Sequence, residues 1–181
     1  MTRRSPIAFL VGLTGALAFG WLGLPHLRFV AADQPLQFSH RVHTSEATGL
    51  ACADCHSFRA NGEFAGIPPL ATCSGCHADP IGTSPDEKRL VEEFVKTGRE
   101  IPWHVYSRQP DNVRFPHAPH VTEARIPCES CHGAHGTSES LFRFETNRVS
   151  GYARGLATMG ACEGCHRERG RGATACIGCH R

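Results

Sequence analysis

The sequence predicts a mainly α-helical protein with much irregular chain, little or no sheet, and an N-terminal transmembrane helix. Three observations support this fold class. A short motif, Cys-x-x-Cys-His, occurs five times in 181 residues and accounts for all ten cysteines. The chain also contains 19 glycines and 12 prolines, which favour turns over long regular elements. Finally, an uncharged apolar run lies close to the N-terminus.

The five motifs have identical spacing and occupy residues 52–56, 73–77, 128–132, 162–166 and 176–180. This spacing is typical of covalent haem c attachment. Two thiols form thioethers with the haem vinyl groups, and the adjacent histidine binds the iron. We therefore expect five covalently attached haems c. The predicted attachment residues are Cys52, Cys55, Cys73, Cys76, Cys128, Cys131, Cys162, Cys165, Cys176 and Cys179.

Other uses of paired cysteines fit this pattern less well. Zinc sites use thiolates in fours or together with distant histidines, and five pairs do not divide evenly into four-thiolate sites. Structural disulfides would not require a histidine after every pair. A redox dithiol would hardly be needed five times in one chain.

Length and charge restrict the fold and the function further. Without the N-terminal segment, about 150 residues remain, or roughly 30 for each haem. A chain this short cannot enclose each haem in a separate hydrophobic core. We therefore expect the porphyrins to stack on one another and to form the core themselves. The formal net charge is +2, and no basic cluster indicates a nucleic-acid partner.

The apolar run extends from Ile7 to Leu24 and follows Arg3 and Arg4. Its 18 residues are close to the lower limit for a membrane span and long for the apolar core of a cleaved signal peptide. By the positive-inside rule, the two arginines stay in the cytoplasm. The haem domain then lies on the periplasmic, outer face of the cytoplasmic membrane.

A candidate cleavage site follows the run at residues 30–32, where small residues are suitably placed. The charged Arg28 and the bulky Phe29 just before it argue against cleavage. We therefore predict an uncleaved membrane anchor over residues 1–32 and a pentahaem domain over residues 33–181.

The haem domain contains an internal repeat. Phe-x-His-x-x-His begins at Phe38 and again at Phe115, and each copy is followed by a short turn and a haem motif. We divide the domain into modules 33–80 and 111–181, joined by residues 81–110. In the joining segment, the sequence from Ser84 to Glu87 has the form of a capping box. It predicts a helix with an apolar stripe at Leu90, Val91, Phe94 and Val95 that ends at Gly98.

The motif histidines are the predicted first iron ligands: His56, His77, His132, His166 and His180. Second ligands are predicted from the repeat, because histidines three apart on a helical turn share one side and can reach neighbouring haems. These are His40, His43, His117 and His120. For the fifth haem we rank His135 slightly above Met159, and His104 third.

The number of candidate iron ligands helps to distinguish an electron carrier from a haem enzyme. A catalytic haem needs an open coordination position, but here the candidate second ligands outnumber the irons. No catalytic residues are expected, because the sequence contains no Ser-His-Asp set, phosphate loop or paired-carboxylate signature. The chain is predicted to conduct electrons between haems rather than to catalyse a reaction.

The repeated Phe-x-His-x-x-His pairs followed by Cys-x-x-Cys-His resemble the class III multihaem cytochromes c, a family of small bis-histidine tri- and tetrahaem proteins. The resemblance covers residues 38–77 and 115–180. It implies a class III-like multihaem fold, in keeping with the short helices and irregular chain predicted above.

The fuller arrangement of anchor, five motifs, residues 101–106 and residues 159–162 is similar to the pentahaem subunit of alternative complex III. It is also similar to the relative of that subunit in the menaquinone reductase complex of sulfate reducers, and the haem count favours alternative complex III. The resemblance implies an electron-relay subunit of a respiratory complex. The implied partners are a polytopic quinone-binding membrane subunit, an iron–sulfur subunit related to molybdopterin enzymes, and a soluble cytochrome c.

Two other functions remain open. One is a self-sufficient quinol dehydrogenase of the NapC/NrfH type, which also has one anchor and several haems. The other is a free periplasmic electron shuttle, which requires cleavage after the apolar run.

Overall fold

The computed structural model describes residues 6–60, 62–64, 66–155, 157–170 and 176–180. Arg3 and Arg4, from which the membrane orientation is predicted, lie outside these residues. Within them, one helix, Pro6–Arg28, is long and apolar enough to cross a membrane, judged by its length and composition. Its 23 residues extend about 34 Å at 1.5 Å per residue, slightly more than the roughly 30 Å of a bilayer core.

This N-terminal helix has three parts. Helix α1 (Pro6–Ala18) is followed by a π-helical turn (Phe19–Gly23) and by α2 (Leu24–Arg28). The π turn immediately precedes Pro25, whose ring cannot fit a regular α-helical ladder. The helix ends at Arg28, four residues beyond Leu24, where the predicted apolar run ends.

A two-stranded ribbon joins this helix to the rest of the chain. Strand β1 (Phe29–Ala32) follows α2 directly and pairs antiparallel with β2 (Phe144–Asn147), so that Phe29 lies opposite Asn147. The Arg154 guanidinium lies 4.3 Å from the centre of the Phe29 ring. The ribbon fixes the end of the apolar helix to a segment that lies more than a hundred residues further along the chain. The prediction of little sheet is confirmed.

The remaining helices are short. They are α3 (His40–His43), α4 (Cys52–Cys55), α5 (Leu70–Ser74), α6 (Pro85–Arg89), α7 (Glu129–His132) and α8 (Met159–Glu168). Two π-helical segments (Leu90–Val95 and Ala118–Glu123) and two 3₁₀ turns (Gly133–Thr137 and Cys176–Gly178) accompany them. Side chains cap two of the helices: Ser39 Oγ accepts from Val42 N–H, and Thr158 Oγ1 from Ala161 N–H. The prediction of short helices and irregular chain is confirmed.

Each Cys-x-x-Cys-His motif forms one helical turn. In the first, second, third and fifth motifs, the histidine N–H donates to the carbonyl of the first cysteine at 2.8–2.9 Å. The fourth motif lies within α8. Residues at positions i, i+3 and i+4 of a helix share one face, so the turn presents both thiols and the imidazole on the same side.

The joining helix packs as predicted, but its N-terminus differs. Val91 and Phe94 are buried, and Gly98 has a φ of +66°, the left-handed conformation that ends helices. The capping box, however, is wrong, since Ser84 makes no side-chain capping bond. The Glu87 carboxylate instead accepts hydrogen bonds from two backbone N–H groups that precede the helix.

The apolar core of the polypeptide is small. In the part of the chain that the structure describes, the buried hydrophobic residues are Leu36, Leu70, Val91, Phe94, Ile101 and Ala153. Four of them, with partly buried Leu90, Val95 and Trp103 around them, form one cluster beside α5 and the joining helix. The rest of the domain is ordered around histidine rings rather than around aliphatic side chains.

Candidate multihaem site

The two Phe-x-His-x-x-His repeats have the same local structure. Phe38 contacts the first histidine of its repeat edge-on at 4.9 Å and stacks on the second at 4.2 Å. Phe115 contacts its two histidines at 4.9 Å and 4.6 Å, the first again edge-on. In each repeat the phenylalanine therefore fixes the orientation of both imidazole rings.

Each of these four histidines faces the histidine of a haem motif. An imidazole nitrogen bonds a metal at about 2 Å, and the ring centre lies about 1.1 Å further out. Two imidazoles on opposite sides of one iron therefore have ring centres about 6.2 Å apart. The observed distances between centres are 6.5 Å for His40–His56, 6.1 Å for His43–His77, 6.4 Å for His117–His132 and 6.0 Å for His120–His166. All four pairs fit the separation that a bis-histidine haem requires.

Several of these rings are held by hydrogen bonds at Nδ1. The second histidine of each repeat bonds a carbonyl four residues earlier, that of Ser39 or of Pro116, at 2.8 Å. In the first motif, His56 Nδ1 bonds the Gly66 carbonyl at 3.0 Å. Because a carbonyl only accepts, Nδ1 must carry the proton, which leaves the Nε2 lone pair available for a metal.

The second motif histidine has a different partner. His77 Nδ1 lies 2.9 Å from Glu87 Oε1, with the two side chains 19% and 12% exposed. Glu87 also accepts from the N–H groups of Ile81 at 2.7 Å and Gly82 at 2.8 Å. These backbone bonds, with the smaller effect of His77, hold the pKa of Glu87 below its usual value against the opposing effect of burial. Glu87 is therefore an anionic acceptor for His77.

Burial favours the neutral form, which a metal needs, in three of the paired imidazoles: His40, His117 and His132. Burial, followed by the effect of His135 and other neighbouring rings, lowers the pKa of His40 to about 4. Burial also lowers the pKa values of His117 and His132. Within the described residues, His40 Nδ1 is a buried nitrogen with no hydrogen-bond partner, unlike the Nδ1 atoms of His43, His56, His77 and His120.

The described side chains do not form a site of another kind. They contain no group of three or more His, Cys, Asp or Glu residues arranged to hold a metal ion, as zinc would need. The cysteines of the first four motifs form no disulfides. The motifs instead present paired thiols beside a single histidine, which is the donor set for a haem.

Neighbouring thiols connect the first three motifs. Burial raises the pKa of Cys55, and the nearby Cys76 raises it further; Cys73 is affected in the same way by burial and then by Cys55. On the other side of the first motif, burial raises the pKa of Cys128, and Cys52 interacts with that thiol electrostatically and by a hydrogen bond. The first motif therefore lies close to both the second and the third.

Neighbouring thiols also connect the last two motifs with the third. Burial, then Cys179 and then Cys131, raises the pKa of Cys162, so the fourth motif lies close to both the third and the fifth. The fifth motif is also held by the backbone, because Arg114 N–H donates to the Cys179 carbonyl at 2.7 Å. The neighbouring thiols thus link the second motif to the first, the first to the third, the third to the fourth and the fourth to the fifth.

The three candidates for the remaining ligand lie in different surroundings. The His104 ring stacks on Phe144 at 4.9 Å, and its backbone is bonded to the Gln34 side chain. His135 lies 4.8 Å from the His40 ring, edge-on, which is too close for two ligands of one iron. Met159 is the first residue of α8 and is 62% exposed. No ring contact among the described residues joins His104 or His135 to His180.

Two residues of the site were not identified from the sequence. The sequence pattern predicts that Glu87 caps a helix. Its contact with His77 could not be predicted, because a spacing of ten residues matches no recognisable pattern. Phe64 stacks on His117 at 4.3 Å and lies 6.1 Å from His56, so it separates the rings of two neighbouring haem sites. A single aromatic residue in an irregular loop gives no sequence signal for that position.

Comparison with known proteins shows the family to which the chain belongs. No family model matches the chain. It is 41% identical, over 187 aligned positions, to the menaquinone reductase multihaem cytochrome c subunit of Nitratidesulfovibrio vulgaris (strain Hildenborough). The alignment covers 96% of this chain and 89% of that relative. With this identity across nearly its whole length, the chain belongs to the family of multihaem cytochrome c subunits of menaquinone reductase.

Proposed function

We propose that this chain is a membrane-anchored relay that carries electrons through five haems c. The electrons pass between a quinone-reactive membrane complex and periplasmic redox partners. The observation that carries the proposal is the set of four histidine pairs with ring centres 6.0–6.5 Å apart. Paired imidazoles at that separation fit a metal bound between them, and the two thiols beside each motif histidine favour haem iron as that metal.

In this proposal the ten motif cysteines hold the haems through thioethers, and each haem when bound supplies a one-electron iron couple. Each motif histidine would bind one haem iron, and His40, His43, His117 and His120 would supply the second ligand of four of them. Both coordination positions of these four irons are then filled by protein. A relay needs no open position, so the chain itself is not an enzyme but a subunit of an oxidoreductase complex.

For the fifth haem we propose Met159 as the second ligand of the iron bound by His180. Met159 lies in the same turn of α8 as Cys162, and that thiol interacts with Cys179 of the fifth motif. His135, ranked first from the sequence, lies instead beside the ring of His40. A thioether ligand raises the potential of a haem relative to bis-histidine coordination.

The links between neighbouring motifs support a single path for electrons. The haems would follow one another as second, first, third, fourth and fifth in chain order, with the second and fifth at the two ends. Electrons entering at either end would then pass every haem, whereas entry at the middle would leave part of the row unused. The two end haems are therefore the proposed points of contact with partners.

We further propose that the anchor is retained. The candidate cleavage site at residues 30–32 lies inside β1, which is hydrogen-bonded to β2. Arg148 N–H also donates to the Arg28 carbonyl at 2.7 Å, so the ribbon includes residues on both sides of the site. A start of the mature protein near Ala32, found by N-terminal sequencing, would contradict retention and favour the free shuttle.

The proposed partners are those that the resemblance to the pentahaem subunit of alternative complex III implies. They are a polytopic quinone-binding subunit, an iron–sulfur subunit related to molybdopterin enzymes, and a soluble cytochrome c. Five haems would be in keeping with the pentahaem subunit of alternative complex III, a respiratory assembly similar to menaquinone reductase.

A haem count and spin-state measurement tests the proposal on the purified full-length protein. Pyridine haemochrome absorbance should give five haems c per chain, and electron paramagnetic resonance should show that at least four are low-spin. Protein without covalent haem, or with zinc at the thiols, would refute the function outright. Co-purification of the chain with a polytopic membrane subunit would support the partner assignment.

One feature favours a second candidate, a quinol dehydrogenase. A cavity of about 680 Å³ lies beside β2, and its walls include Trp103, Phe144 and Tyr152 together with Arg108. Because β2 pairs with the strand that leaves the apolar helix, this cavity would lie near the membrane surface. Menaquinol oxidation by the purified chain alone would support this candidate, whereas oxidation that requires the other subunits would support the relay.

A further inference from the structure

The second haem motif differs from the others in the group that holds its histidine. His77 Nδ1 lies 2.9 Å from a carboxylate oxygen of Glu87, whereas His56 Nδ1 bonds the neutral Gly66 carbonyl. Among the described residues, no other motif histidine forms an ion pair with a carboxylate. The pair is largely shielded from water, with only 12% of the Glu87 side chain exposed.

Such a contact changes the electron-donating strength of a ligand. An imidazole N–H that donates to a carboxylate gains electron density at the opposite nitrogen, which makes it a more basic ligand. A more basic ligand stabilises the ferric iron, which has the higher charge, more than the ferrous iron. Hydrogen bonds to a charged acceptor are roughly twice as strong as those between neutral groups, so Glu87 should act more strongly than a carbonyl.

We propose that Glu87 is a positioning residue for His77 that lowers the reduction potential of the haem attached at Cys73 and Cys76. The inference rests on the proposed function, because it requires a haem at this motif. Reduction adds one electron to the ferric iron and breaks no bond, and the Nδ1 proton stays on His77 in both states. Glu87 therefore changes only the relative stability of the two oxidation states.

The structure holds Glu87 firmly in this position. Its second oxygen accepts from Gly82 N–H at 2.8 Å, and Oε1 accepts from Ile81 N–H at 2.7 Å. A Cβ atom at position 82 would lie 2.9 Å from Glu87 Oε2, so a glycine is needed for the carboxylate to approach. The carboxylate is therefore fixed by backbone groups and does not depend on His77 for its place.

The primary test compares Glu87→Gln with wild-type holoprotein by potentiometric titration, followed by visible absorbance. One haem should become easier to reduce, with a reduced-to-oxidised ratio at fixed potential about tenfold higher. That change corresponds to about 59 mV for a one-electron couple. The matched control is Asp86→Asn, which removes the same charge from the neighbouring residue, whose carboxylate pairs with Arg89 rather than with a histidine. An equal shift in this control would overturn the inference.

A second variant perturbs the contact without removing the charge. Gly82→Ala should displace the Glu87 carboxylate from His77 and shift the same haem in the same direction by a smaller amount. To assign that haem, Glu87→Gln is combined with His43→Ala, which should make the haem of the second motif high-spin. The shift must then fall on the high-spin haem; a shift on a low-spin haem would overturn the assignment.

The outcomes separate this inference from the function on which it rests. Five low-spin haems with unshifted titrations in both Glu87→Gln and Gly82→Ala would refute the role of Glu87 and leave the relay standing. A wild-type protein without covalent haem would refute the relay and the inference together. A low-spin spectrum retained in Glu87→Gln, together with the expected shift, would show that the contact tunes the ligand rather than merely holding the fold.

Discussion

Replacing His117 with alanine should convert one haem from low-spin to high-spin. The His117 and His132 ring centres are 6.4 Å apart and the rings are inclined by 4°, so both can bind one iron between them. Alanine leaves that iron with one protein ligand, and about one fifth of the ferric haem should become high-spin if five are present. Electron paramagnetic resonance of the oxidised protein measures this fraction directly.

The matched control for this experiment is His104→Ala. His104 stacks on Phe144 at 4.9 Å with an interplanar angle of 7°, so its loss should change packing but no iron coordination. Exogenous imidazole should restore the low-spin signal of His117→Ala by entering the space that the side chain leaves. An unchanged low-spin spectrum in His117→Ala, or a new high-spin haem in His104→Ala, would refute the ligand assignment.

Three further predictions concern the fifth ligand, the small core and the cofactors. Met159→Ala should produce one high-spin haem and lower the highest reduction potential, whereas His135→Ala should leave the spin states unchanged; the same resonance and potentiometric measurements check both. Phe94→Ala should destabilise the holoprotein by about 3–5 kcal/mol, since Phe94 is 3% exposed, and Phe142→Ala, at a side chain 42% exposed, should cost much less in denaturant unfolding. Protein made without haem attachment should lose cooperative thermal unfolding, because so few apolar side chains are buried without the cofactor, and a sharp calorimetric transition in that protein would contradict this.

Features that depend on local spacing could be predicted from the sequence. Cys-x-x-Cys-His specifies a helical turn because its three functional side chains need positions i, i+3 and i+4, and the structure has that turn at every motif. The stripe at Val91 and Phe94 and the left-handed Gly98 follow from helix periodicity and from the conformational freedom of glycine.

Features that depend on distant residues could not be predicted. The ribbon pairs Phe29 with Asn147, and no pattern in either segment specifies a partner so far away. Glu87 matched a capping box, yet two backbone N–H groups and a histidine compete for its carboxylate in the folded chain. Local propensity predicts the helix that carries this residue, while tertiary contacts determine what the side chain binds.

The pairing of the histidines shows why the fifth motif differs from the other four. In each repeat the first histidine faces the motif that follows it directly, as His40 faces His56. The second histidine faces the next motif along the chain, as His120 faces His166. One repeat therefore completes two haem sites, and two repeats complete four. The two repeats supply no facing histidine for the motif of His180, so we propose that its second ligand comes from outside the repeats, with Met159 of α8 as the proposed residue.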